Sequence, residues 1–151
     1  MDAGGMRFAI VSSRFNSAVT DRLVAGAHAC FIEHGARASD IETFSVPGAW
    51  ELPLAARYIA AQGFDAIVAI GCVIRGDTPH FEYVAGAATD GLARVQHESG
   101  IPIGFGLLTV EDDAQAFARA GGREGNKGWE SALAALEMAH LGRKLNDHAV
   151  A

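Results

Sequence analysis

The stretch Ala66-Ile67-Val68-Ala69-Ile70-Gly71-Cys72-Val73-Ile74-Arg75-Gly76-Asp77-Thr78-Pro79-His80-Phe81-Glu82-Tyr83-Val84 decides the fold. Its first five residues are an unbroken apolar run, short enough for a strand buried on both faces, as strands of parallel sheets are. Gly76 then permits a tight reversal, Asp77 or Thr78 can cap a helix, and Pro79 suits a first helical turn, where a missing N–H costs nothing. Backbone N–H groups left free at such a turn, together with the positive end of the helix dipole, attract an anion, most often a phosphate. His80 falls in the same turn. A helix N-terminus disfavours imidazolium, so the sequence predicts a His80 that is neutral near pH 7 and able to accept a proton, unless Glu82 or another carboxylate offsets the effect. The plainer alternative is a half-buried histidine that helps to cap the helix.

Outward from this stretch, strand and helix alternate. Residues 7–12 read as a first strand, ending in Ser13-Arg14-Phe15-Asn16. From Ser17, the residues Val19, Leu23, Ala27, Cys30 and Phe31 recur at helical spacing, and Gly35 stands where a helix C-terminus favours a left-handed residue. A second strand over residues 41–46 runs into Pro47-Gly48-Ala49-Trp50-Glu51-Leu52-Pro53 and a helix reaching Gln62. The helix opened at Thr78 extends to Ser99, a fourth strand covers residues 102–109, and residues 111–120 form a short helix with acidic residues at its start, as the dipole prefers. A glycine-rich loop over residues 121–126 precedes a last helix with Trp129, Leu133, Leu136 and His140 on one face. Met1 to Gly5 read as a loose leader and the residues from Asn146 as a frayed tail.

Strict alternation of this kind predicts an α/β fold, a parallel sheet covered by helices, in one domain over residues 1–151. Each irregular stretch sits at the C-terminal end of a strand: Arg14-Phe15-Asn16, Pro47 to Pro53, and Cys72 to His80. Open parallel sheets bind ligands along that edge, so the three stretches predict a composite site. Half of the 151 residues are hydrophobic, a fifth are charged, and the net charge is −6. That balance argues against nucleic acid or an anionic membrane as partner, so a phosphate must be held by local groups. Two cysteines, Cys30 and Cys72, imply no disulfide framework and suit a reducing compartment. No apolar run approaches the length of a membrane span, and the cytoplasm is the expected location.

The individual residues carry alternatives. Phe15 either plugs the core or, flanked by polar Arg14 and Asn16, stacks on a planar ligand above the sheet. Trp50 either packs or faces a ligand, and Glu51 either serves a helix N-terminus or accepts hydrogen bonds from a bound hydroxyl. Arg119, Arg123 and Lys127 form a solvated cluster unless something anionic lies nearby. Other chemistries lack their residues: there is no G-x-G-x-x-G after the first strand, no Walker-type loop and no H-E-x-x-H. A nucleophile elbow is likewise missing. The only lysines, Lys127 and Lys144, lie outside the strands, which disfavours a Schiff base on the protein. Acid–base chemistry with positioning remains, using a neutral histidine and an anion pocket.

Arg14-Phe15-Asn16, the segment from Val46 to Pro53, Gly71 to Val84, Phe105-Gly106-Leu107-Leu108-Thr109 and Gly125-Asn126-Lys127-Gly128 together resemble the lumazine synthase family, in unbroken order over about residues 6 to 145. With the alternation above, the resemblance implies a three-layer αβα sandwich, flavodoxin-like, with a four-stranded parallel sheet in the order 2-1-3-4. It implies condensation of 5-amino-6-(D-ribitylamino)uracil with 3,4-dihydroxy-2-butanone 4-phosphate to 6,7-dimethyl-8-ribityllumazine, with release of phosphate and water, and no metal or organic cofactor. Phe15 would stack on the pyrimidine. Trp50, Glu51 and Leu52 would line the ribityl side chain, with Glu51 accepting from its hydroxyls, Ala49 would also contact substrate, and the main chain of Cys72, Val73 and Ile74 would read the pyrimidine edge. Gly76, Asp77 and Thr78 would hold the phosphate with Arg119, and His80 would shuttle the proton. Phe105, Arg119 and Lys127 would come from a neighbouring subunit of a homopentamer. The short loop from Gly121 to Gly128 resembles that of shell-forming members, which leaves a free pentamer and a sixty-subunit shell both open. The product would pass to riboflavin synthase. The sequence departs from the family pattern mildly: Pro79 precedes the histidine, Trp50 stands where many members carry phenylalanine, and Arg123 where lysine is frequent. A lumazine- or flavin-binding protein, or a shell subunit with weak or no turnover, is the alternative; a flavodoxin-like electron carrier is a further one, though its hydroxyl-rich phosphate loop after the first strand is lacking.

Overall fold

A computed structural model describes residues 1–150, the last two through their backbone alone. The apolar runs become four parallel strands, β1 (Phe8–Ser13), β2 (Ile41–Val46), β3 (Ala66–Ile74) and β4 (Ile103–Val110), in the order β2-β1-β3-β4. β1 and β3 lie at the centre. All of β1 and all of β3 up to Cys72 are buried, which is why both read as continuous apolar sequence rather than as an alternation.

Successive side chains of a strand point to opposite faces, so each central strand feeds two cores. On one face Phe8, Ile10, Val68 and Ile70 pack against α1 (Ser17–Glu33) and α5 (Lys127–Val150) through Leu23, Phe31 and Leu136. On the other, Ala9, Val11, Ile67 and Ala69 meet α2 (Leu52–Ala60) and α3 (His80–Ser99) through Leu52, Ile59 and Leu92. The expected αβα sandwich and strand order are therefore what the chain forms. α1 and α5 approach so closely at Gly128 that a Cβ there would collide with the backbone carbonyl of Leu23. Asn126 fastens the same crossing: its Oδ1 accepts from the Trp129 N–H (3.1 Å) and its Nδ2 donates to the Arg22 carbonyl (3.1 Å).

Four local features differ from the sequence reading. α3 begins at His80, with Pro79 as its N-cap, rather than at Thr78; a residue before proline is driven out of the helical region, so Thr78 cannot open the helix. The loop after the short helix α4 (Asp113–Ala118) holds a small antiparallel pair, β5 (Ala120–Gly122) and β6 (Gly125–Asn126), which glycine-rich sequence does not signal because glycine has little strand preference. The leader is not loose. Ala3 is fully buried, its N–H donates to the His34 carbonyl (2.7 Å), and His140 Nε2 donates to the carbonyl of Asp2 (2.6 Å). The tail is helical rather than frayed, because α5 continues through Asn146 to Val150; Ala151 lies outside the described residues. Among the described residues, no helix is long and apolar enough to cross a membrane.

Candidate active site

The chain runs from β1 outward to β2, then returns past β1 to β3 and β4. The connections leave the carboxyl ends of β1 and β3 in opposite directions, and a crevice opens between them. Its floor is built by Asn16, which takes the left-handed conformation (φ 64°) that asparagine tolerates better than most residues. From there its Nδ2 donates to the Cys72 carbonyl at 2.8 Å, carrying the β1–β3 ladder past its last paired residues, Ser12 and Ile70. The Arg14 N–H donates to the Val46 carbonyl (2.8 Å) and the Phe15 N–H to Pro47 (3.2 Å), so the exits of β1 and β2 are joined as well.

With its backbone held on both sides, Phe15 presents a ring that is 71% exposed, and Trp50 is 66% exposed. Neither serves the core. Both face a cavity of about 580 Å³ whose walls also include Ala49, Glu51, Cys72, Val73, Ile74, Gly76, Thr78 and His80. The three stretches separated in sequence thus meet around one space. Pro47, Gly48, Phe81, Tyr83 and Val84 line it too, although the sequence reading did not single them out as site residues. The signal available for Phe81, Tyr83 and Val84 was their place within the first turns of α3, on the side that follows His80.

Glu51 precedes the first residue of α2, yet its side chain makes no capping bond, so its carboxylate remains available to a ligand hydroxyl. Cys72 is almost fully buried, and burial, reinforced by Asp113, pushes its thiol up to about 11; it supplies wall and carbonyl rather than a thiolate. The turn after β3 contains Gly76, Asp77 and Thr78, and among the described residues no protein group takes their backbone N–H bonds. His80 is exposed at the cavity lip, not half-buried, and its N–H makes a long contact with Thr78 Oγ1 (3.4 Å). Arg75 adds no unpaired charge to this turn. It is engaged by Glu82 and Glu111, and hydrogen bonding from Arg75 holds the Glu82 carboxyl below the ordinary carboxylate range.

Five expected site residues stand apart from the cavity. Leu52 is fully buried among α2 and α3 contacts, so its side chain belongs to the core. Asp77 lies in the exposed turn without forming wall. Phe105, 49% exposed, sits on β4. Arg119 ends α4 with its Nη1 on the Gln115 carbonyl (3.1 Å), and Lys127 pairs with Glu130 at the start of α5 (3.3 Å). Arg119 and Lys127 adjoin each other, the Lys127 N–H donating to the Arg119 carbonyl (2.9 Å). Among the described residues, no three His, Cys, Asp or Glu side chains converge to hold a metal ion.

Aromatic walls suit a planar ring, a free carboxylate suits hydroxyls, unpaired N–H groups suit an anion, and an exposed imidazole suits proton transfer. A sequence profile described as 6,7-dimethyl-8-ribityllumazine synthase matches residues 5–143. A protein of Aquifex aeolicus (strain VF5) described in the same words is 51% identical over 146 residues, covering 96% of this chain and 95% of its own. Both matches run through every segment that builds the crevice, and the chain belongs to the 6,7-dimethyl-8-ribityllumazine synthase family.

Proposed function

We propose that this chain condenses 5-amino-6-(D-ribitylamino)uracil with 3,4-dihydroxy-2-butanone 4-phosphate to 6,7-dimethyl-8-ribityllumazine, releasing phosphate and water. The observation that carries this reading is the cavity itself, where exposed aromatic rings, Glu51, an unsatisfied N–H turn and His80 face one another in a family member. The pyrimidine stacks on Phe15, and its ribityl hydroxyls reach Glu51 beside Trp50. Its amine is the nucleophile, so no protein lysine is needed. Condensation with the ketone gives an imine and water. A proton must then leave the adjacent carbon as the C–O bond to phosphate breaks, and His80 lies at the lip where it can accept that proton. The N–H groups of Gly76, Asp77 and Thr78 receive the departing phosphate. The enol left behind tautomerises to a ketone, which the ribityl-bearing nitrogen attacks to close the second ring with loss of a second water. Much of the acceleration comes from holding the two reactants in register.

The anion side of the cavity requires a cation, because Arg75 is already matched by two carboxylates. Arg119 has the chemistry, yet it lies away from the cavity of its own chain. A neighbouring copy that brings Arg119, Phe105 and Lys127 to the open side completes the site, in a homopentamer or a shell of such rings. The exposed rings of Trp50, Tyr58 and Tyr83 give such a neighbour apolar surface to cover. The chain is one domain that works in the cytoplasm without a cofactor and hands its product to riboflavin synthase. Mixing the purified protein with both substrates tests the reaction: lumazine fluorescence and phosphate should rise together. Phosphate release without lumazine, or neither, refutes it. Light scattering on the same sample reads the assembly.

A further inference from the structure

Arg75 is the first residue after β3, and its side chain reaches two other segments, the start of α3 and the residue before the cap of α4. Nη1 pairs with Glu82 in the first turn of α3, two residues beyond His80. Nε pairs with Glu111 (3.0 Å), which precedes Asp112, the side-chain cap of α4. The guanidinium carbon stands 4.4 Å from the centre of the Phe81 ring. Its own N–H donates to the Val110 carbonyl (2.8 Å). Between these anchors lies the Gly76–Thr78 turn, which has no backbone bond of its own to the fold among the described residues.

We infer that Arg75 is a positioning residue for the reaction proposed above: it fixes the start of α3 against β3 and α4, so that the anion turn and His80 hold one arrangement. A planar guanidinium can give separate nitrogens to two carboxylates while its face stacks on a ring; an ammonium is a point charge without that fork or face. Exposed ion pairs of this kind contribute little to global stability. Their effect here is local, because the turn they frame contains a glycine and is otherwise held only by its ends. The same pairing cancels the arginine's charge, so Arg75 is not the phosphate's cation.

The inference rests on the proposed reaction, and its test has one arm that needs turnover and one that does not. Arg75→Met and Glu82→Gln should each lower kcat/KM for the butanone phosphate by about tenfold, the scale of a slightly misplaced reacting group, with KM for the pyrimidine unchanged. The double variant should be no worse than either single one, and Arg75→Lys should fall between wild type and Arg75→Met. If Arg75 instead bound phosphate directly, Glu82→Gln would free it and lower that KM, which overturns the inference. Additive losses in the double variant also overturn it. Hydrogen exchange at the bonded amides that open α3, residues 82–88, should quicken in Arg75→Met while exchange in β1 and α1 stays as in wild type; unchanged exchange at 82–88 overturns the inference whatever the activity. Wild-type protein that makes no lumazine refutes the reaction, and exchange then still decides the positioning role.

Discussion

Asn16 performs two tasks that substitution can separate. Its backbone holds φ at 64°, and its amide serves the Cys72 carbonyl at 2.8 Å. Asn16→Gly keeps the conformation and loses the bond, a change worth about 1 kcal/mol for a partly buried hydrogen bond. Asn16→Ala loses the bond and keeps a Cβ in the left-handed region without the polar side chain that lets asparagine tolerate it, which adds up to roughly 1 to 2 kcal/mol. The expected losses are therefore about 1 kcal/mol for glycine and about 2 to 3 for alanine. Urea unfolding at one fixed protein concentration measures both, since the proposed assembly would make apparent stability depend on concentration. Because the amide also anchors the loop that carries Phe15, both variants should raise KM for the pyrimidine to a similar degree. Equal stability losses would mean that the backbone conformation is not a constraint, and a glycine variant with wild-type stability and KM would mean that the amide ties nothing together. Either result refutes the argument that a side chain completes the β1–β3 floor.

His80→Ala should slow kcat by about ten- to a thousandfold, at or below the usual effect of a lost general base; steady-state lumazine formation measures it, and a much larger loss would assign His80 another role. Arg119→Ser should raise KM for the butanone phosphate or abolish turnover, and unchanged kinetics with that substrate would remove Arg119 from the phosphate site. Gly128→Ala should destabilise by at least about 2 kcal/mol, the scale of overpacking, because the new methyl meets the Leu23 carbonyl; an unaltered thermal midpoint would show that the helices separate freely. Burial raises the thiols of Cys30 and Cys72 from an ordinary 9.0 to about 11. The unfolded thiols lose their protons first, so this contribution is intact below pH 9 and disappears as pH rises to 11, by about 2 to 3 kcal/mol per thiol. Unfolding midpoints at pH 8 and 11 should converge when both cysteines are replaced by alanine, and an unchanged gap would contradict the assignment.

What sequence could and could not reveal follows from the range of each interaction. The apolar runs at 8–11 and 66–70, the proline-glycine exit at 47–48 and the turn before His80 are local signals: the runs form the central strands β1 and β3, and the exit and the turn meet at the carboxyl ends of the strands. Leu52 shows where local reading fails. Its neighbours Trp50 and Glu51 face the cavity, yet the chain passes from a 3-10 turn into α2 at this residue, and the change of helical phase turns Leu52 into the core. The bond from Asn16 to Cys72 spans 56 residues, and Ala3 is buried in the core cluster that α1 and α5 also fill; neither has a signature in adjacent residues. Arg75 and Arg119 illustrate a further limit. Sequence presents them as equivalent cations near glycine turns, and only the carboxylates folded around Arg75 distinguish a charge already matched from one still able to receive a phosphate. That distinction makes Arg119 rather than Arg75 the arginine to test for phosphate affinity, and because Arg119 stands apart from the cavity of its own chain, it is why the proposed site draws on a second copy.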